Sequence, residues 1–353
     1  MTDRVYIIAE AGVNHNGDRD LAIDLVIAAK EAGADAVKFQ TAQADKVVVA
    51  DAPKAVYQKT TTDAGESQIE MLRRILLPYE DHHAVVSKCE ELGIDFLSTP
   101  FDLESLAFLV ENLGVGRLKV PSGEITNGPL LLAAGLSGLD IILSTGMCTI
   151  DDIENALSIL TLGYNGHSTV AVGELPPPDL PFLRSRVTLL QCTTEYPAPM
   201  ADANLNAMAS LRQRFGLAVG LSDHTEGIVA AIAAAALGAS VIEKHFTLDR
   251  NLPGPDHKAS LEPEALAEMI VAIRQTTEAM GDGLKAPSPS EIPNMAIARK
   301  SLVALTEIEK GQSFTEENLG AKRPGTGISP MKYWEFLGRP AARNFEPGDL
   351  IDQ

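Results

Sequence analysis

Cysteine, tryptophan and positive charge are all scarce in this chain of 353 residues. Cys89, Cys148 and Cys192 are an odd number with no CxxC spacing, which argues against a disulfide framework and a cysteine-ligated zinc and fits a reducing cytoplasm. No window approaches the eighteen or more uninterrupted apolar residues of a membrane span. The opening MTDRVYIIAEAGVN lacks the small-residue cleavage pattern of a signal peptide and reads as a first strand. Lysine and arginine number 29 against 48 acidic residues, and the formal charge of −19 repels nucleic acid and anionic membranes at long range. An anionic substrate therefore needs a local basic pocket. No GxGxxG follows the first strand, which weakens a dinucleotide-binding reading.

What the chain does contain is one pattern repeated eight times: a short β-branched or apolar run, a polar tip, then a segment rich in Ala, Leu and Glu. The runs fall near 5–9, 36–39, 95–97, 117–120, 141–143, 187–190, 217–221 and 240–243. Strands alternating with helices imply a parallel sheet with right-handed crossovers, and eight units in residues 1–280 predict an α/β fold of the closed (β/α)8 TIM barrel type. An open doubly wound sheet is the alternative. Residues 165–186 are too long and proline-rich for an ordinary connection and read as a surface excursion. The glycines and prolines of 281–297 suit an extended, poorly helical linker. Residues 298–353 alternate short apolar runs with turns, as expected of a small β-rich domain.

In such a barrel the carboxyl ends of the strands converge on one face. Here they carry Glu10, Lys38 with Gln40, Ser98-Thr99, Lys119 followed by Ser122 and Glu124, Ser144-Thr145, Thr193-Thr194 with Tyr196, Ser222-Asp223-His224, and His245. Lys38 and Lys119 interrupt apolar strands, where an unpaired ammonium is costly to bury. Each either pairs with a carboxylate such as Glu10 or Glu124, or both serve a phosphate or carboxylate ligand. His224 and His245 end adjacent strands and are candidates for a divalent metal site beside Glu10, with hydrogen-bonded structural histidines as the alternative. Two histidines with open positions suit Mn²⁺ or Mg²⁺ better than structural zinc. His15 reads as a turn residue, and His82, His83 and His167 as solvent-facing side chains. Ser222-Asp223-His224 is no hydrolase triad, because adjacent strand residues face opposite ways.

The ordered segments Glu10-Ala11-Gly12-Val13-Asn14-His15-Asn16-Gly17, Val37-Lys38-Phe39-Gln40, Ser98-Thr99-Pro100-Phe101, Lys119-Val120-Pro121-Ser122-Gly123-Glu124, Leu143-Ser144-Thr145-Gly146-Met147, Ser222-Asp223-His224-Thr225, Glu243-Lys244-His245-Phe246 and Gly254-Pro255-Asp256 resemble the bacterial N-acetylneuraminate synthase family, in order along nearly the whole chain. Lys322-Arg323-Pro324-Gly325 resembles that family's C-terminal antifreeze-like (SAF) domain. The resemblance implies a metal-dependent condensation of phosphoenolpyruvate with an unphosphorylated amino-sugar aldehyde, giving a nonulosonic acid and phosphate. It implies that Lys38, Thr99, Phe101, Lys119, Ser122 and Ser144 bind substrate and that His224 and His245 hold the ion, Mn²⁺ first, with Mg²⁺ or Co²⁺ as alternatives. Glu10, Glu124 and Ser222 then act catalytically, and Thr194, Tyr196 and Asp256 face the sugar. It implies a homodimer in which Arg323 reaches the partner's site.

Sialic acid synthases typically carry asparagine at the position of Thr194. Thr194, with Tyr57-Gln58-Lys59-Thr60-Thr61 and Glu66-Ser67-Gln68, resembles the branch making N,N′-diacetyllegionaminic acid from 2,4-diacetamido-2,4,6-trideoxymannose. N-acetylneuraminate and pseudaminate synthesis are the enzyme alternatives. The non-enzyme alternative is an antifreeze-like binding module on a decayed barrel.

Overall fold

The computed structural model describes residues 4–63, 65–171, 173 and 175–352 and divides into two compact units after Asp282. Val172 and Glu174 of the expected excursion, and the side chains of Tyr57 and Thr60 quoted as branch markers, lie outside the described residues. The first unit holds eight strands: β1 (Tyr6–Gly12), β2 (Ala36–Thr41), β3 (Asp95–Pro100), β4 (Arg117–Val120), β5 (Asp140–Ser144), β6 (Val187–Cys192), β7 (Ala218–Asp223) and β8 (Val241–His245). Their order is β3-β2-β1-β8-β7-β6-β5-β4 and every ladder is parallel. β3 and β4, the ends of that order, touch one another, so the sheet curls into a nearly closed (β/α)8 barrel and not an open doubly wound sheet.

The helices between the strands start and stop where the side chains dictate. Asp18 caps Arg19–Glu31 by accepting from the amides of Asp20 and Leu21, and Thr149 with Asp152 forms a reciprocal cap on Ile150–Tyr164. Gly93 closes the helix Tyr79–Leu92 at φ 63°, a left-handed conformation that glycine adopts without strain. Outward strand residues such as Ile7, Val37 and Leu143 share one core with Leu25, Val85 and Leu157 of the surrounding helices. Residues 165–186 include the short helix Leu180–Leu183, which anchors an otherwise largely exposed stretch through the buried Leu183.

The stretch 281–297, expected to be poorly helical, includes all but the last residue of the helix Ile292–Ala298. Its Pro293 occupies the first turn, where a missing amide hydrogen costs nothing, so the proline starts this helix instead of forbidding it. The helix belongs to the second unit: the Gly325 amide donates to the Ala296 carbonyl. There β9 (Ser301–Ala304) and β10 (Leu319–Lys322) pair antiparallel over a core that includes Leu302, Phe314, Phe336 and Phe345.

Candidate active site

Strand alternation builds the site. Ile8, Ala36, Leu97, Ile142, Leu190 and Val241 form one apolar layer inside the barrel. Two residues further along each strand the same face carries Glu10, Lys38, Thr99, Ser144, Cys192 and Glu243, all lining a cavity of about 290 Å³. The register fixes their neighbours: Glu10 lies beside Lys38 on one side and His245 on the other, and Ser222 lies beside both Cys192 and Glu243.

The lysines do pair with carboxylates, though not quite those anticipated. Lys38 Nζ lies 2.6 Å from Glu10 Oε2, donates to Thr99 Oγ1 at 3.0 Å, and stands 3.8 Å from Glu243 Oε2. Lys119 Nζ lies 3.7 Å from Glu243 Oε1, an oxygen that also accepts from Ser222 Oγ at 2.8 Å. Glu243 is thus shared between both ammoniums, and all four charged groups are at most 4 % exposed. Burial pushes the Glu10 carboxyl up to about 7 against the pull of Lys38. Burial lowers Lys38 but the carboxylates of Glu10 and Glu243 raise it further, whereas at Lys119 burial prevails and the pKa falls. Two ammoniums facing one firm and one readily protonated carboxylate give a pocket that gains net positive charge whenever Glu10 takes a proton.

Hydroxyls complete this wall. Ser122 Oγ accepts from the Gly146 amide at 2.9 Å. A Cβ at Gly146 would meet Thr194 Oγ1 at 2.3 Å and Ser122 Oγ at 2.9 Å, so the turn after β5 needs glycine for these groups to converge. Ser144 Oγ and Thr194 Oγ1 are buried with no hydrogen-bond partner among the described residues, the condition of donors that await a ligand.

On the other side, the His224 and His245 rings lie 5.3 Å apart, with Tyr196 packed 4.2 Å from the first and 5.5 Å from the second. His224 Nδ1 donates to the Thr193 carbonyl at 2.7 Å, so Nε2 is the nitrogen that can offer a lone pair; burial lowers this imidazole, but Cys192 and the carbonyl bond raise it above its usual range. Burial, reinforced by His224 and Lys38, holds His245 well below the usual imidazole range, so it is neutral; its Nδ1 is buried with no hydrogen-bond partner among the described residues, 4.0 Å from Asp256 Oδ2. Burial also raises Asp256, to about 6. Two imidazoles with open positions fit a divalent ion, which His224 can bind only by giving up its second proton. Among the described residues no group of three His, Cys, Asp or Glu side chains is placed to hold a metal ion.

Of the other residues singled out in the sequence, Phe101 and Asp256 line the cavity and Glu124 does not: its carboxylate accepts from Asn127 Nδ2 at 2.7 Å. Arg323 is exposed in the second unit, its Nε donating to the Ala298 carbonyl at 3.0 Å. His15 is fully buried in the turn after β1, with its Nδ1 accepting from the Gly17 amide. His82, expected on the surface, is buried: it bonds Thr41 Oγ1 at 2.9 Å and the Pro78 carbonyl at 2.9 Å, on the same helical face as Val85 and Cys89. His83 and His167 are exposed as expected. Sequence reasoning missed Glu243 as a site residue, although its two-residue spacing from His245 places both on one strand face.

Comparison with known proteins places these features. The NeuB family model matches residues 25–285 and the SAF domain model residues 299–353. The chain is 50% identical over 348 residues, 99% of each chain, to the N,N′-diacetyllegionaminic acid synthase of Campylobacter jejuni subsp. jejuni serotype O:2. It is 45% identical over 346 residues, 98% of this chain and 93% of the other, to the N,N′-diacetyllegionaminic acid synthase of Legionella pneumophila. Among solved structures, the N-acetylneuraminic acid synthetase of Leptospira borgpetersenii matches with a TM-score of 0.68 and 32% identity, covering 83% of this chain and 91% of that one.

Proposed function

The chain belongs to the NeuB family, a family of phosphoenolpyruvate-using transferases, and on that premise we propose that it condenses phosphoenolpyruvate with 2,4-diacetamido-2,4,6-trideoxymannose to give N,N′-diacetyllegionaminic acid and phosphate. The observation that carries this reading is the single cavity lined by Lys38 and Lys119, by two hydroxyls without partners among the described residues, and by the adjacent imidazoles of His224 and His245. Full-length likeness to two synthases of that product supports the choice of sugar.

Lys38 and Lys119, with Thr99, Ser122 and Ser144, hold the phosphate and carboxylate of phosphoenolpyruvate as fixed donors that need no reorganisation during the reaction. His224 and His245 hold a divalent cation, Mn²⁺ by preference, which when bound supplies Lewis-acid polarisation of the sugar aldehyde. Carbon 3 of phosphoenolpyruvate forms a bond to the aldehyde carbon, water adds at carbon 2, and phosphate leaves by cleavage of its C–O bond. Glu10, near neutral pH in its titration, takes or returns a proton beside Lys38. Ser222 keeps Glu243 oriented between the lysines. Glu124, turned to Asn127, is given no step. Thr194, Tyr196 and Asp256 contact the sugar. The enzyme works as a cytoplasmic homodimer, with Arg323 entering the partner's site.

The test is phosphate release from phosphoenolpyruvate and Mn²⁺ with a panel of 2-acetamido and 2,4-diacetamido aldoses. The 2,4-diacetamido-6-deoxy sugar gives the highest kcat/KM; equal values with N-acetylmannosamine overturn the choice of sugar, and no phosphate with any aldose overturns the reaction.

A further inference from the structure

The charged groups line only part of the cavity. Another part is apolar: Val13 from the loop after β1, Val47, and Met71, Leu72, Ile75 and Leu76 from the helix Gln68–Ile75 and its cap. Val13, Met71 and Ile75 form a cluster separate from the barrel core, with Leu72 and Leu76 packed on it. Met71 and Ile75 are buried, but Val47, Leu72 and Leu76 are only half-buried and keep carbon surface for whatever enters. Residues 68, 71, 72 and 75 recur at helical spacing, so the helix presents one continuous face. Gln68 begins that face. It also lines the cavity, and its amide makes no hydrogen bond among the described residues.

The helix is held in place. Ser67 and Glu70 cap its start reciprocally, Arg74 pairs with Glu66 at 2.9 Å, and Arg73 pairs with Asp45. At its other end Gly17, at φ 76°, approaches so closely that a Cβ there would meet the Arg74 carbonyl oxygen at 2.7 Å. A wall fixed from both ends and made of half-buried leucines has a definite preference among polyols. A hydroxyl set against it gives up water and finds no partner, whereas a methyl group loses nothing and buries carbon.

We infer that the helix Gln68–Ile75 forms the subsite that reads the far end of the sugar, with Leu72, Leu76 and Val47 receiving a methyl group at carbon 6 and Gln68 meeting an acylamino group. Substrate class is then set at this helix as well as at Thr194, a selection for 6-deoxy sugars over hydroxyl-rich ones. The inference rests on the condensation reading, and its test uses a pair of sugars that differ at one atom.

N-acetylmannosamine and its 6-deoxy analogue are compared by phosphate release with wild type, Leu72→Gln and the conservative Leu72→Met, with Leu76→Gln as the second polar variant should Leu72→Gln not fold. Wild type favours the 6-deoxy sugar by about 10-fold or more in kcat/KM, the range expected of one methyl in an apolar pocket. The polar variant loses most of that preference and Leu72→Met keeps it. The ratio within each variant serves as its own control for general damage. No preference in wild type, or a ratio unmoved by the polar variants, overturns the subsite while leaving the condensation intact; if neither sugar is turned over, the same ratio is read on the 2,4-diacetamido aldose with and without its 6-hydroxyl, and no phosphate with any of the four overturns both.

Discussion

Glu10 and Lys38 are register partners across the β1–β2 ladder, and the Lys38 ammonium lies 2.6 Å from Glu10 Oε2. If that ammonium served only to neutralise carboxylates, its loss would affect folding more than turnover. As a fixed donor to phosphoenolpyruvate it must act on the reaction. Lys38→Met is expected to lower kcat/KM for phosphoenolpyruvate by about 10²–10³-fold, the loss typical of one preorganised electrostatic contact. Steady-state kinetics with the sugar saturating check it; a variant within a few-fold of wild type assigns Lys38 to carboxylate pairing alone.

Behind the site a second ion pair joins the strands that carry the two histidines. Lys244 Nζ donates to Asp223 Oδ2 at 2.8 Å and to the Thr225 carbonyl at 2.5 Å, and both side chains are sealed from solvent. Asp223→Ala leaves the ammonium buried with no counter-charge and should cost about 3–5 kcal/mol. Asp223→Ala combined with Lys244→Met should recover much of that loss. Urea unfolding of the three proteins measures it, and a single variant no less stable than the double one contradicts the account.

His15 couples the fold to acid. Burial, with His82 adding to it, holds its imidazole down to about 4. The native state thus keeps His15 neutral while the unfolded chain protonates near 6.5. Its contribution is complete above about pH 6.5 and is lost as the pH falls toward 4, a change of about 3 kcal/mol. His15→Asn should flatten the dependence of unfolding free energy on pH between 6.5 and 4. An unchanged slope transfers the effect to His82 or His257, which burial also lowers.

The metal assignment has a readout apart from turnover. His224→Ala or His245→Ala removes one of two protein nitrogens and should weaken Mn²⁺ binding by about 10-fold or more. Binding followed by the Mn²⁺ spin signal on the resting enzyme checks this. Wild-type affinity in both variants sinks the assignment.

How much of this was legible beforehand depended on periodicity. The eight strands stood out as apolar runs because each is bounded by a polar tip and a glycine-punctuated helix, and the observed ends differ from the expected ones by a few residues at most. The lysines stood out because charge inside such runs is rare. Glu243 does not stand out in the sequence because it is not the strand's last residue, although the alternation that puts Glu10 above Ile8 also puts Glu243 above Val241. His82 reads as a surface residue beside His83, yet three- and seven-residue spacing from Val85 and Cys89 marks it as facing the core. The apolar wall at Leu72 was not legible, because helical spacing of leucines reads as ordinary core until a cavity opens against it.

Arg323 is the residue on which the proposed sharing of sites between two subunits can be tested. Its guanidinium is exposed, bonds only the Ala298 carbonyl through Nε, and has no carboxylate partner among the described residues. Arginine offers several donors in a rigid fork, suited to an acetamide carbonyl on the sugar. Arg323→Ala and His224→Ala are each expected to be inactive alone. In a dimer whose arginines serve their own barrels, mixing the two variants with subunit exchange leaves a lesion at every site. If each arginine serves the partner, random pairing makes about half of the dimers mixed, and each of these holds one site with both lesions and one with neither. About a quarter of all sites should then regain activity. Exchange is verified by differently tagged subunits, and phosphate release reads the recovery; no recovery in an exchanged mixture confines Arg323 to its own chain.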